Sequence, residues 1–202
     1  VRPRLVGVLA LQGAFAAHQR LLGDLGVATR QVRNVADLDE IDALVLPGGE
    51  STTMSKLLVS TGLLEPIRSR LADGLPALGT CAGMILLAAE VLDGRIDQQC
   101  LGAIDISVRR NGYGRQLDSF ECDLEIAADG FVGGVQDSFH GVFIRAPKVH
   151  TWADSVQVLA SHQGVPVLLR QRGVTVASFH PELTGDSRIH AMFIDHLVTE
   201  AS

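Results

Sequence analysis

The chain has 202 residues, 47% of them hydrophobic and 20% charged, which fits an ordered globular protein read as a single domain over 1–202. A net charge of -6 and the lack of any lysine- or arginine-rich run argue against a nucleic-acid binder, which would carry a basic face. Three widely spaced cysteines, Cys81, Cys100 and Cys122, make neither a disulfide framework nor a zinc site and point to a reducing, cytoplasmic setting.

Leu5–Leu11 is apolar but too short to cross a membrane, and it reads as a buried strand with no signal-peptide pattern. Ala14–Leu25 has helical spacing through Phe15, Leu21, Leu22 and Leu25, and Gly26 is placed to end it. A weak strand over Ala28–Arg33 precedes a short apolar strand, Ala43–Leu46, that runs into Pro47-Gly48-Gly49. Helices are expected over Thr52–Val59 and Leu64–Ala72, then a strand at Ala77–Thr80 and a helix from about Gly83 to Leu92. Strands alternating with helices imply parallel pairing and right-handed crossovers.

The second half changes character. Leu101–Val108, Ser119–Ile126, Gly141–Ile144, Val156–Ser161, Val165–Arg170 and Val174–Phe179 read as closely spaced strands, so hairpins are expected. Ala127–Asp137 looks like a surface excursion, and Ser187–Val198 is a helix with an apolar stripe. The fold class expected is α/β: an open, mostly parallel, flavodoxin-like sheet flanked by helices, with an antiparallel section in the second half.

Three segments carry chemistry, and each follows a predicted strand. Gly79-Thr80-Cys81-Ala82-Gly83 is a nucleophile-elbow pattern with cysteine in place of serine. The small residues let strand and helix approach, the helix start sets partial positive charge beside the sulfur, and the Ala82 N–H can hold an oxyanion. A buried cysteine in a glycine-rich turn is the competing reading. His180-Pro181-Glu182 follows the last strand, and extended geometry before proline lets His180 and Glu182 project together. Alone this motif is also explained by a surface turn; paired with Cys81 it supplies a base and the group that orients it. Pro47-Gly48-Gly49-Glu50-Ser51-Thr52-Thr53 permits a peptide flip at its glycines and suits a helix start at Glu50-Ser51-Thr52. A phosphate loop is disfavoured there, because Glu50 puts negative charge where phosphate would sit and no Gly-Lys-Ser/Thr follows.

These motifs, in this order and spacing, resemble class I glutamine amidotransferases. With Leu11-Gln12-Gly13, Arg110-Asn111, Gly114-Arg115-Gln116, Asp118-Ser119-Phe120-Glu121 and Phe143-Ile144-Arg145-Ala146-Pro147, nearly the whole chain looks like the glutaminase subunits of pyridoxal 5′-phosphate synthases. The resemblance implies Cys81 as nucleophile, His180 as base and Glu182 as its partner. It further implies a glutamine pocket of Gly49, Glu50, Ser51, Arg110, Ile144 and Arg145, and an oxyanion hole of Gly49 and Ala82. Arg109 precedes Arg110, which leaves the choice between them open, and Arg110 and Arg145 are alternatively surface arginines. No metal or organic cofactor is implied. The partner implied is a (β/α)8-barrel synthase subunit in a large double-ring hetero-complex, with neither nucleic acid nor membrane involved.

The rivals are another amidotransferase subunit, a hydrolase such as a peptidase on the same fold, and a scaffold without turnover. His18 reads as an exposed helical histidine, with contact to the partner as the alternative. His140, His150, His162, His190 and His196, with Cys100 and Cys122, read as structural or solvated.

Overall fold

Alternation of short apolar strands with helices builds the first half of the chain, as a computed structural model describing residues 4–112, 119–127 and 138–199 shows. In chain order the elements are β1 (Leu5–Leu9), α1 (Phe15–Asp24), β2 (Ala28–Val32), β3 (Ala43–Leu46), α2 (Ser51–Ser60), α3 (Leu64–Ala72), β4 (Ala77–Thr80), α4 (Ala82–Leu87) and β5 (Ala88–Val91). They continue with β6 (Ile104–Arg109), β7 (Ser119–Leu124), β8 (Phe139–Ile144), β9 (Lys148–Trp152), β10 (Gln157–His162), β11 (Val165–Gln171), β12 (Val174–Ala177) and α5 (Arg188–Thr199). Gly114-Arg115-Gln116, Asp118 and nearly all of the expected surface excursion, residues 128–137, lie outside the described residues.

The main sheet has the order β10-β11-β12-β4-β3-β1-β2. β2, β1, β3, β4 and β12 are mutually parallel, and β11 and β10 close one side as antiparallel strands. The parallel part therefore has the doubly wound 2-1-3-4-5 order, whose ligand crevice lies beyond the strands' carboxyl ends. Both faces of this sheet are buried, and its residues divide between them. In β3, Leu44 and Leu46 join the apolar cluster on one face, whereas Ala43 and Val45 join the other. That two-sided burial is why the central strands read as continuous apolar runs.

Register aligns the ends that matter. Leu46 pairs with Gly79, and Ala177 pairs with Thr80. The segments that follow β3, β4 and β12 therefore leave the sheet side by side.

Two smaller sheets, β5-β6-β9 and β7-β8, hold the strands that lie outside the main sheet. Here the structure departs from the sequence reading. The helix expected to reach Leu92 stops at Leu87, and Ala88–Val91 becomes a strand parallel to β6. The carbonyls of Leu86 and Leu87, which a longer helix would use internally, instead accept the N–H groups of Leu101 and Ala103 at 2.7 and 2.8 Å. Strand β9 was not expected; it follows Pro147 and pairs antiparallel with β6. Among the described residues no helix is long and apolar enough to cross a membrane.

Candidate active site

Cys81 sits between β4 and α4 with φ 49° and ψ -102°, a backbone conformation disfavoured for any residue bearing a Cβ. Hydrogen bonds on both sides hold it there. Its N–H donates to the Ala177 carbonyl at 2.8 Å, and its carbonyl accepts the Ile85 N–H at 3.2 Å. The flanking glycines admit this turn by close approach. A Cβ on Gly79 would come 2.7 Å from the Gly83 backbone, and one on Gly83 would collide with the Leu46 carbonyl. The sulfur is almost buried and lies 3.8 Å from the Ile144 carbonyl. Ala82 opens α4, so its N–H belongs to the first turn that lacks intrahelical acceptors.

His180 follows β12, and its N–H is fixed by the Val142 carbonyl of β8 at 2.8 Å. Its Nδ1 is 2.7 Å from Glu182 Oε1. The pair meets by a route other than the one expected: Pro181–Leu183 form a single 3-10 turn, with His180 as the residue that caps it. Burial opposes a charge on His180, but its hydrogen bonds and electrostatic attraction to Cys81 and Glu182 outweigh that and raise it to about 10. Glu182 has a fully buried side chain. Burial pushes its carboxyl up, yet the bond from His180 and the neighbouring imidazoles hold it below the ordinary range.

Behind Glu182 lies a second pair of rings that the sequence did not reveal. His18 of α1, expected to be exposed, is fully buried. Its Nε2 is 3.5 Å from Glu182 Oε2 and 3.2 Å from Thr80 Oγ1, and its Nδ1 is 2.8 Å from His190 Nε2. His190 of α5 is also fully buried, which leaves the structural one of its two readings, structural or solvated. Burial lowers both rings, His190 to about 3.

The cleft beside Cys81 has a volume of about 280 Å³. Gly49, Glu50, Ser51, Arg110, Ile144 and Arg145 all line it, together with His180. Gln12, Ile85 and Asn111 line it as well, and sequence reasoning gave them no role. Arg109 is an exposed residue outside this lining, whereas Arg110 is half-buried. The Arg110 guanidinium is tethered at Thr52 Oγ1 (2.9 Å) and the Asp93 carbonyl (3.0 Å).

The glycine loop is strapped down from two sides. Ala14 N–H donates to the Gly48 carbonyl at 3.1 Å, so the Gly49 N–H of that planar peptide faces away from Ala14. Gln12 Oε1 accepts the Glu50 N–H at 3.0 Å. Glu50 caps α2: its carboxylate accepts the N–H groups of Thr52 and Thr53 and the Thr53 hydroxyl. Burial opposes the charge, but these bonds together outweigh it and hold Glu50 at about 2. Among the described residues no group of three or more His, Cys, Asp or Glu side chains is placed to hold a metal ion.

Residues 8–199 match the SNO glutamine amidotransferase family. A pyridoxal 5′-phosphate synthase subunit PdxT of Rhodococcus jostii (strain RHA1) is 56% identical over 198 residues, covering 95% of this chain and 96% of that one. The subunit of the same name from Mycobacterium leprae (strain TN) is 54% identical over 193 residues, covering 94% of each chain. Among solved structures, a crystal structure of a glutamine amidotransferase superposes with a TM-score of 0.87 at 46% identity, covering 96% of this chain and 98% of that one.

Proposed function

The chain belongs to the SNO glutamine amidotransferase family, and from that premise and the geometry around Cys81 we propose that it is the glutaminase subunit of a pyridoxal 5′-phosphate synthase. It hydrolyses L-glutamine to glutamate and ammonia and hands the ammonia to a synthase subunit. The observation that carries this reading is one juxtaposition. A cysteine on a strained strand-to-helix turn stands beside a buried His180–Glu182 pair, at a cleft lined by residues from six separate segments.

The chemistry is two acyl transfers. Glutamine lies in the cleft, where the tethered Arg110 meets its carboxylate with a charge-assisted bond. With the Cys81 proton held on the raised His180, the sulfur attacks the side-chain amide carbon. The carbonyl oxygen becomes an oxyanion held by the N–H groups of Ala82 and Gly49. His180 returns its proton to the departing nitrogen, ammonia leaves, and a glutamyl thioester remains on Cys81. Water, deprotonated by His180, attacks the thioester; the tetrahedral species collapses to glutamate, and Cys81 recovers its proton.

The partner in this reading is a (β/α)8-barrel synthase subunit in a double ring, with ammonia passing internally between the sites. Names of the relatives as synthase subunits support a partner of that kind. The test is ammonia and glutamate release from glutamine by the wild type and by Cys81→Ala, with and without a pyridoxal phosphate synthase barrel subunit. Partner-stimulated release that disappears in the variant is expected. Release that persists in Cys81→Ala would refute the nucleophile, and release indifferent to the partner would move the chain to another pathway.

A further inference from the structure

We propose that His18 and His190 are positioning residues for this glutaminase reaction: a neutral imidazole pair that presents the His18 Nε2–H to the outer oxygen of Glu182 and so fixes the carboxylate that orients His180. The inference rests on the catalytic reading of Cys81, His180 and Glu182 and adds two residues to it.

Glu182 has two oxygens and one evident task. Oε1 is bound to His180 Nδ1 at 2.7 Å. Oε2 is buried, has no hydrogen-bond partner among the described residues, and faces His18 Nε2 at 3.5 Å. A buried carboxylate oxygen facing a ring nitrogen needs that nitrogen to carry its hydrogen, because a lone pair there would repel it.

The choice of tautomer propagates. Burial keeps both His18 and His190 from accepting a second proton, so each ring carries one. With the His18 proton on Nε2, its Nδ1 is an acceptor, and the 2.8 Å bond to His190 requires His190 Nε2 to donate. His190 Nδ1 is then a bare acceptor. That atom has no hydrogen-bond partner among the described residues. The opposite tautomer would place a buried N–H there without an acceptor and would turn a lone pair on His18 toward Glu182, so both ends of the chain prefer the same proton arrangement. Thr80, adjacent to Cys81, has its hydroxyl oxygen 3.2 Å from the same Nε2, where in this tautomer it accepts, and so ties the pair to the elbow.

Placing the donor on α1 and its support on α5 links the packing of two helices, 172 positions apart in sequence, to the orientation of one carboxylate. His18→Gln keeps an N–H donor at the Nε2 position, whereas His18→Leu removes it.

Nitrogen-15 NMR of histidine-labelled, unmutated protein reads the tautomers directly and needs neither a variant nor turnover. His18 and His190 are expected neutral at pH 7, each with its hydrogen on Nε2; a His18 hydrogen on Nδ1 overturns the proposal. In glutaminase assays with the barrel subunit present, His18→Leu is expected to lower kcat about tenfold or more with KM little changed, and His18→Gln to restore most of it. In a Glu182→Gln background the His18→Leu effect is expected to fall below about twofold, since the coupled interaction is already gone. Equal losses in both backgrounds, or no rescue by glutamine, would mean that His18 serves packing alone. Activity retained in Cys81→Ala would instead sink the underlying catalytic reading, whatever the tautomers are.

Discussion

The Gly48 Cα faces the edge of the His180 imidazole so closely that a methyl group on it would come 2.8 Å from Nδ1 and nearer still to Cε1. The glycine loop and the histidine therefore occupy complementary space, and the missing side chain of one sets the position of the other.

Gly48→Ala tests that fit. His180 would have to turn away from the added methyl, and its 2.7 Å bond to Glu182 would be lost or lengthened. A displacement near 1 Å costs on the order of 100-fold in rate when a reacting group is misplaced. Steady-state glutaminase kinetics should show that loss in kcat, with a destabilisation of about 1–3 kcal/mol from overpacking in chemical denaturation. Wild-type kinetics in this variant would mean the loop yields instead of the ring.

Strain at Cys81 predicts an order of stabilities. A residue with a Cβ held at φ 49°, ψ -102° carries about 1–3 kcal/mol of backbone strain, which glycine escapes at an entropic cost of about 0.5–1 kcal/mol. Cys81→Ala keeps the strain and Cys81→Gly releases it. Both variants should lose glutaminase activity, yet Cys81→Gly should be the more stable by about 1 kcal/mol, or about 2–4 °C in Tm for a chain of this size. Calorimetry on the two proteins checks it, and the reverse order would mean that the turn is held without strain.

The two adjacent arginines should separate cleanly. Arg110 lines the cleft with its guanidinium anchored by Thr52 and Asp93, whereas Arg109 is exposed at the end of β6 and lies outside that lining. Arg110→Met is expected to raise KM for glutamine by about tenfold or more, the scale of a lost charge-assisted bond, and Arg109→Met to leave it within about twofold. A larger KM effect at Arg109 would reverse the assignment.

Sequence brought the candidate site residues together better than it placed their supports. Cys81, His180 and Gly49 all follow short apolar strands, and the rule that doubly wound sheets place sites at strand carboxyl ends brings them together from the sequence alone. The α4–β5 switch at Leu87 was not legible, because an apolar run without a break reads as one helix and only the capture of two carbonyls by Leu101 and Ala103 ends it. His18 was misread for a related reason. Helical spacing places it on α1 but does not say that α5 covers it with a second histidine. Gln12 stood one motif away from a role, and the bond from Glu50 N–H to its side chain supplies it only after β1 and β3 are paired.

His180 gives a basic limit to both activity and stability. Its folded value of about 10 lies above the unfolded value of about 6.5. Protonation of the folded ring therefore contributes stability that is complete below about pH 6.5 and is lost as pH rises through about 10. The profile of kcat/KM should fall on its alkaline side near pH 10. The difference in unfolding free energy between wild type and His180→Gln should narrow from pH 7 to pH 10. A gap that stays constant across this range would show that His180 is not held in its charged form.

His18 and His190 set the acidic side, with the opposite sign. Burial holds His190 at about 3 in the folded chain, while the unfolded chain takes up its proton near pH 6.5. Between those values the unfolded state binds more protons, so stability falls as pH drops below about 6.5, by up to about 1.4 kcal/mol per pH unit for this ring. His18 shifts in the same direction and adds to the slope. In His190→Leu that contribution is absent. Between pH 6.5 and pH 5 the wild type should therefore lose up to about 2 kcal/mol more than the variant does, whatever offset the substitution introduces at neutral pH. Urea unfolding at several pH values measures both slopes. Parallel slopes would show that His190 takes up its proton in the folded state and that the neutral imidazole pair behind Glu182 does not persist below pH 6.5.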